Sequence, residues 1–178
     1  MAQQQNFTDA LSLIEQVITA DSENEPAQAL KVKIGLHCKN SEVTESALKS
    51  LVGIAPENLQ YSIRLAQLYL DNGETRRAPE VFKPLFSQFQ HPDLYFTYAW
   101  FLNRAAEHRQ ALINYQKAID LGLQGSEEAH LNMASIYSSW LFAPDEAKKQ
   151  LVMALIIYAI YFEGRFILGN VEGDVWDG

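Results

Sequence analysis

A small residue returns along this chain at Ala10, Thr44, Ala78, Ala111 and Ala147, at intervals of 34, 34, 33 and 36 residues. Four positions after each stands a large residue, Ile14, Leu48, Phe82, Tyr115 and Leu151. Three further on come Val17, Leu51, Leu85, Ala118 and Ala154. Spacings of four and three place the members of each triplet on one helical face. Between these stripes runs a second set. Its small positions are Val32, Ala66, Ala99, Ala134 and Gly169, preceded by Lys31, Leu65, Tyr98, Met133 and Leu168. Three residues after them stand Gly35, Tyr69, Leu102, Tyr137 and Glu172. Two helical faces per period, joined by a polar turn, make a helix hairpin, seen most plainly in residues 91–121. A single hairpin cannot bury both faces, so consecutive hairpins must stack.

The period divides the chain into a half repeat at 1–24, full units at 25–58, 59–91, 92–125 and 126–160, and a partial unit at 161–178, all one domain. Local punctuation agrees with it. The polar start, Met1 to Gln5, reads as a frayed end. Pro26 suits the first turn of a helix. Ser41 is an expected N-cap, and so is Ser126, followed by Glu127 and Glu128 on the favourable end of a helix dipole. Asn72-Gly73 reads as a left-handed helix stop, Gly122 and Gly125 bracket a loop, and Pro144 opens a helix. Pro84 falls inside the helix expected over 78–88 and should kink it. The apolar run over 151–162 lacks a breaker at the expected turn. It reads as helix that can run straight on, with paired strands around Glu163-Gly164 as the alternative.

These motifs resemble the tetratricopeptide repeat (TPR), a 34-residue helix–turn–helix unit. The best match is Leu65-Ala66-Gln67-Leu68-Tyr69-Leu70-Asp71-Asn72-Gly73, followed by Ala78 and Phe82. The likeness covers nearly the whole chain. It departs at Lys31 and Gly35, where the family prefers Leu and Tyr, and at Gln28, Ser62 and His130, where it prefers an aromatic that only Tyr95 supplies. Its terminal proline stands only at Pro56. The resemblance implies an all-α fold, a right-handed α-solenoid of antiparallel helix hairpins. The stretch from Glu128 to Tyr137, with Pro144-Asp145-Glu146-Ala147 and Leu168-Gly169-Asn170, also resembles the TPR region of bacterial TPR–sulfotransferase proteins. Nothing resembles their phosphosulfate-binding loop, so the likeness implies a non-catalytic repeat arm or a stand-alone relative.

Composition narrows the functional classes. A net charge of −8 disfavours a phosphate-binding surface. The pairs Arg76-Arg77 and Lys148-Lys149 read as solvated helix surface. The one cysteine, Cys38, fits a reducing compartment. No basic-then-apolar leader is visible at the start, and the apolar run over 151–162 is short of the ~20 residues that span a bilayer. The reading is a cytoplasmic protein off the membrane. No phosphate loop, G-x-S-x-G, H-E-x-x-H or C-x-x-C is present. The four histidines, His37, His91, His108 and His130, lack metal-ligand spacing. No catalytic residue, metal site or cofactor is expected.

In the family the first helix of each unit lines a concave groove that takes peptides or partner domains. The residues offset from the core stripe there are Lys33, Ile63, Gln67, Phe96, Trp100, Asn103, Arg104, Leu131 and Ser135. Phe96 and Trp100, one turn apart, could form an aromatic platform beside Arg104, or could pack against neighbouring repeats. Family members that grip a partner's C-terminal carboxylate use Lys, Asn and Arg at set groove sites. Lys33 alone suggests that grip, while Ala29, Arg64 and Thr97 do not complete it. The expected partner is a protein or peptide segment. Homodimerisation through the apolar stretch between Leu151 and Trp176 is the other possibility.

Overall fold

A computed structural model describes residues 2–173, with side chains over 7–163. Among these residues the fold is all-helical, without strands. The chain runs through α1 (Ala2–Ala20), α2 (Glu25–His37), α3 (Ser41–Ile54), α4 (Leu59–Asp71), α5 (Arg77–Glu80), a 3₁₀ segment (Lys83–Ser87), α6 (Pro92–Arg104), α7 (His108–Asp120), α8 (Glu127–Ser139) and α9 (Pro144–Gly173). It forms two compact units, Met1–Gln90 and His91–Gly178.

In the first unit α1 packs on α2, α2 on α3, α3 on α4, and α4 on α5. The small position of the second helices lets helices approach closely: Thr44 is 1% exposed and Ala78 0%. Leu48 and Phe82 fill the space beside them. Two departures from the repeat pattern have structural causes. Lys31 is nearly buried, and its ammonium lies 2.6 Å from Glu15 on α1. Gly35 lies against Thr44, the threonine that replaces alanine at the start of α3. A Cβ at Gly35 would lie 2.5 Å from Thr44 Oγ1.

Asparagines start α2, α3 and α4. Asn24, Asn40 and Asn58 accept bonds from the amides of Ala27, Val43 and Gln60, at 3.0, 3.1 and 3.3 Å. The cap of α3 is thus Asn40, and the expected Ser41 is the first helical residue. Helix ends close through a residue with positive φ: Lys39, Gly73, Ala106 and Gly122. Each is followed by an amide that bonds back five residues in the Schellman manner, as in Glu74 N to Tyr69 O (2.7 Å) and Glu107 N to Leu102 O (2.9 Å).

Pro84 does more than kink its helix. After the single turn of α5, the amides of Phe82, Leu85 and Gln88 bond three residues back, to Pro79, Phe82 and Leu85. Pro84 has no N–H to give the Glu80 carbonyl, and its ring crowds that carbonyl, so the α-helical ladder cannot continue. Burial nonetheless follows the repeat: Phe82 is 0% exposed and Leu85 3%.

In the second unit α6 pairs with α7, α8 with α9, and α7 packs on α8. Ala99, Leu102, Ala111, Tyr115, Ala118, Met133 and Ile136 form its core. The Tyr115 hydroxyl is buried without a hydrogen-bond partner, and burial pushes its pKa up. Ser126 stands at the start of α8, but its side chain makes no capping bond.

The run over 151–162 is helix, not strand. The α9 helix passes straight through the position near residue 160 where the repeat places a turn. At 30 residues it is more than twice as long as α8, against which it packs. Ala147 and Ala154 face inward, at 6% and 4% exposure. Leu151 is 45% exposed, although its counterparts Leu48, Phe82 and Tyr115 are at 2% or less. Val17 on α1 is likewise 47% exposed, against 1% for its counterpart Leu51. The side chains of Met1 to Gln5 and of the Leu168-Gly169-Asn170 motif, and Trp176, lie outside the described residues.

Candidate peptide-binding faces

The first helices of the two units present two distinct surfaces. In the first unit α2 and α4 flank a cleft of about 280 Å³. Val32, Leu48 and Leu51 form its floor, and all three belong to the buried core. Ala29, Lys33, Asn58, Gln60, Tyr61 and Arg64 form its walls. Tyr61 is held in place by donating its hydroxyl to Glu25 Oε1 at 2.5 Å, which raises the phenol's pKa. Lys33 and Arg64 are exposed and engage no carboxylate among the described residues. An apolar floor under two free cations suits a segment that carries one apolar and one acidic side chain.

Lys33 is therefore the expected site residue that the structure builds into a cleft. Arg64, which does not complete the family's carboxylate grip by position, lines the same cleft. It sits 31 residues after Lys33, about one helical turn short of the full repeat, and two stacked helices bring such positions side by side. Ile63 is half-buried outside the cleft. Gln67 is exposed, its amide donating to Asp71 Oδ1 at 2.7 Å.

In the second unit the aromatic pair divides. Phe96 turns inward and meets the buried Tyr115 ring edge-on, with centroids 5.6 Å apart. That contact lies within one hairpin, between α6 and α7. Trp100 is half-buried, edge-on to Phe101 at 4.9 Å, and the Arg104 guanidinium lies 5.6 Å from its ring centroid. Asn103 Oδ1 is 2.8 Å from His108 Nδ1, and the His108 ring stacks on Trp140 at 4.4 Å. Leu131 and Ser135 on α8 are exposed.

A different hollow, of about 660 Å³, opens where Ile113, Gln116 and Lys117 of α7 face Gln150 of α9. Gln150 on its wall holds Oε1 2.6 Å from Nδ1 of the buried His130. In the first unit a cluster of charge ties the short α5 to its neighbours. Glu45 Oε1 accepts from Lys49 Nζ at 2.8 Å, from Arg77 Nη2 at 2.9 Å and from the Tyr69 hydroxyl at 2.9 Å. The Lys49 ammonium first, then Tyr69 and Arg77, hold the Glu45 carboxyl down at about 2. Arg77 also pairs with Glu74 and covers the Tyr69 ring. Among the described residues no group of three or more His, Cys, Asp or Glu could hold a metal, and no helix is long and apolar enough to cross a membrane.

No protein-family model matches the sequence, and neither does any curated protein. Solved structures share the architecture. The crystal structure of MamA is 18% identical, with a TM-score of 0.66 over 91% of this chain and 94% of that one. MamA from Desulfovibrio magneticus RS-1 is 10% identical, with a TM-score of 0.62 over 89% of each chain. YrrB, described as a TPR protein with an unusual peptide-binding site, is 13% identical, with a TM-score of 0.62 over 88% of this chain and 80% of that one. At such identities the likeness speaks for architecture: the fold is of the TPR type, an α-solenoid of helix hairpins.

Proposed function

We propose that this protein is a non-catalytic interaction module that seats a segment of a partner protein on the faces of its first helices. The α2–α4 cleft carries this reading, because an apolar floor and two unpaired cations come together there. Lys33 and Arg64 grip a carboxylate of the segment, and Val32, Leu48 and Leu51 take a neighbouring apolar side chain. Trp100 with Arg104, beside Asn103, offers a second contact surface on α6, and Leu131 with Ser135 a third on α8. Support comes from the shared fold with YrrB, whose description names a peptide-binding site. The experiment is affinity capture followed by mapping of the captured partner to a short peptide. Binding of that peptide is then measured for Lys33→Glu, Arg64→Glu and Trp100→Ala. Each charge reversal should weaken it about tenfold or more, some 1.4 kcal/mol. Retention of every partner and full affinity by the Lys33→Glu/Arg64→Glu double variant would falsify the cleft as the site.

A second reading is self-association through the C-terminal apolar stretch. The exposure of Leu155 (67%), Tyr158 (62%), Ile160 (65%) and Phe162 (64%) on α9 favours it.

A further inference from the structure

We infer that α9 pairs with α9 of a second copy of this chain, antiparallel, through the stripe Val152, Leu155, Ala159 and Phe162. This rests on the self-association reading and gives it a geometry. The stripe follows the 3-4-3 spacing of an interhelical seam. It points about 110° around the helix from the Ala147 and Ala154 face that packs inward. All four residues are exposed: Val152 45%, Leu155 67%, Phe162 64%, and Ala159 likewise.

The stripe is complementary to itself. Under a two-fold axis crossing α9 near residue 157, Val152 meets the second copy's Phe162, and Leu155 meets its Ala159. Every layer then sets a larger side chain against a smaller one, the condition for close packing without voids. Ends match as well. Lys148 begins the outward face and Glu163 ends it, so antiparallel pairing brings each within about one turn of the other across the axis. A parallel pair would set like charges together. With the flanking Leu151, Ile156 and Tyr158, the exposed apolar surface is on the order of 700 Å². That compares with ~800 Å² per partner in a standard interface and exceeds the usual patch on a monomer.

The seam is tested by sedimentation and by disulfide trapping of the full chain, with Cys38→Ser removing the exposed native thiol. The protein should dimerise at micromolar concentration, and Leu155→Asp should weaken the dimer about tenfold or more. That side chain is solvent-exposed, so an unchanged circular dichroism spectrum separates lost pairing from lost folding. Val152→Cys/Phe162→Cys should form a covalent dimer on oxidation, because these positions meet only between antiparallel copies. Neither single cysteine variant should. A monomer at high micromolar concentration overturns self-association and seam together. A dimer that ignores Leu155→Asp, or one cross-linked by Val152→Cys alone as a parallel pair would be, overturns the seam and leaves self-association standing. Peptide binding at the α2–α4 cleft should be unchanged in Leu155→Asp, so the outcome there is independent of this one.

Discussion

A Cβ built on Gly35 would stand 2.5 Å from Thr44 Oγ1 and 3.0 Å from the Thr44 backbone nitrogen. The Tyr-to-Gly departure and the Ala-to-Thr departure are thus two halves of one contact between α2 and α3. Gly35→Ala should cost about 1–3 kcal/mol in chemical denaturation, the usual penalty of overpacking. Adding Thr44→Ala should restore only part of it, since the backbone clash remains. Glu45 makes a different prediction. Its carboxyl titrates at about 2 in the folded protein against an ordinary 4.5, so the ionised form favours folding. That contribution is complete above pH 4.5 and disappears as pH falls towards 2. Glu45→Gln should therefore lower the melting temperature at pH 6, by roughly 3 °C. By pH 2 the variant and the parent should melt together, as followed by circular dichroism. The residue scale is also where the sequence stops short of placing side chains. Phe96 and Trp100 share a face by spacing, yet whether a ring turns to solvent or to Tyr115 depends on what the neighbouring helix leaves open. Arg64 fails a position-by-position match to a known grip, and only the stacking of α4 on α3 shows that it shares a cleft with Lys33.

At the scale of elements, helix type and spacing were readable because small and large residues alternate at intervals that only a helix puts on one face. Helix ends were less so. Asn40 and Ser41 are both good caps, and the choice falls to the asparagine whose carbonyl oxygen reaches the Val43 amide. Pro84 was readable as a disturbance, but not its extent: with Pro79 five residues earlier, too little uninterrupted backbone remains for a second α-turn. Because Pro84 is itself exposed, replacing it removes no packing. Pro84→Ala should raise the helical signal in far-ultraviolet circular dichroism. It should also slow amide exchange over residues 83–87, where bonds now reach only three residues back. An unchanged exchange pattern would mean that something other than the proline ring breaks the ladder.

At the scale of the molecule, the period announces stacked hairpins, since each leaves a face that only a neighbour can cover. It does not announce where the chain divides. Residues 89–91 are irregular and lie where one compact unit ends and the other begins. Limited proteolysis should therefore cut first near there and release two fragments of similar size, each retaining helical circular dichroism. Early cleavage within α3 or α7 instead would contradict independent cores. The straight course of α9 was one of two outcomes open to the sequence, because nothing between Leu151 and Phe162 breaks a helix. The exposure of Leu151 agrees with the apolar stretch the sequence set aside for pairing, but the extent of exposure at Leu151 and Val17 could not be read from residue type. Their chemistry matches that of buried counterparts, and their burial depends on whether another helix lies beside them.

The turn that ends α4 carries a consequence for shelf life. Asn72 precedes Gly73, the sequence most prone to amide hydrolysis through a cyclic imide, and it stands in solvent with one long bond from Ser41 Oγ. Conversion to aspartate would set a negative charge at the wrong end of that helix's dipole. The isomerised product would lengthen a turn that has no slack. Stored protein should age here first, visible by mass spectrometry as acid replacing amide on the peptide that holds Asn72, and Asn72→Ser should slow the decay.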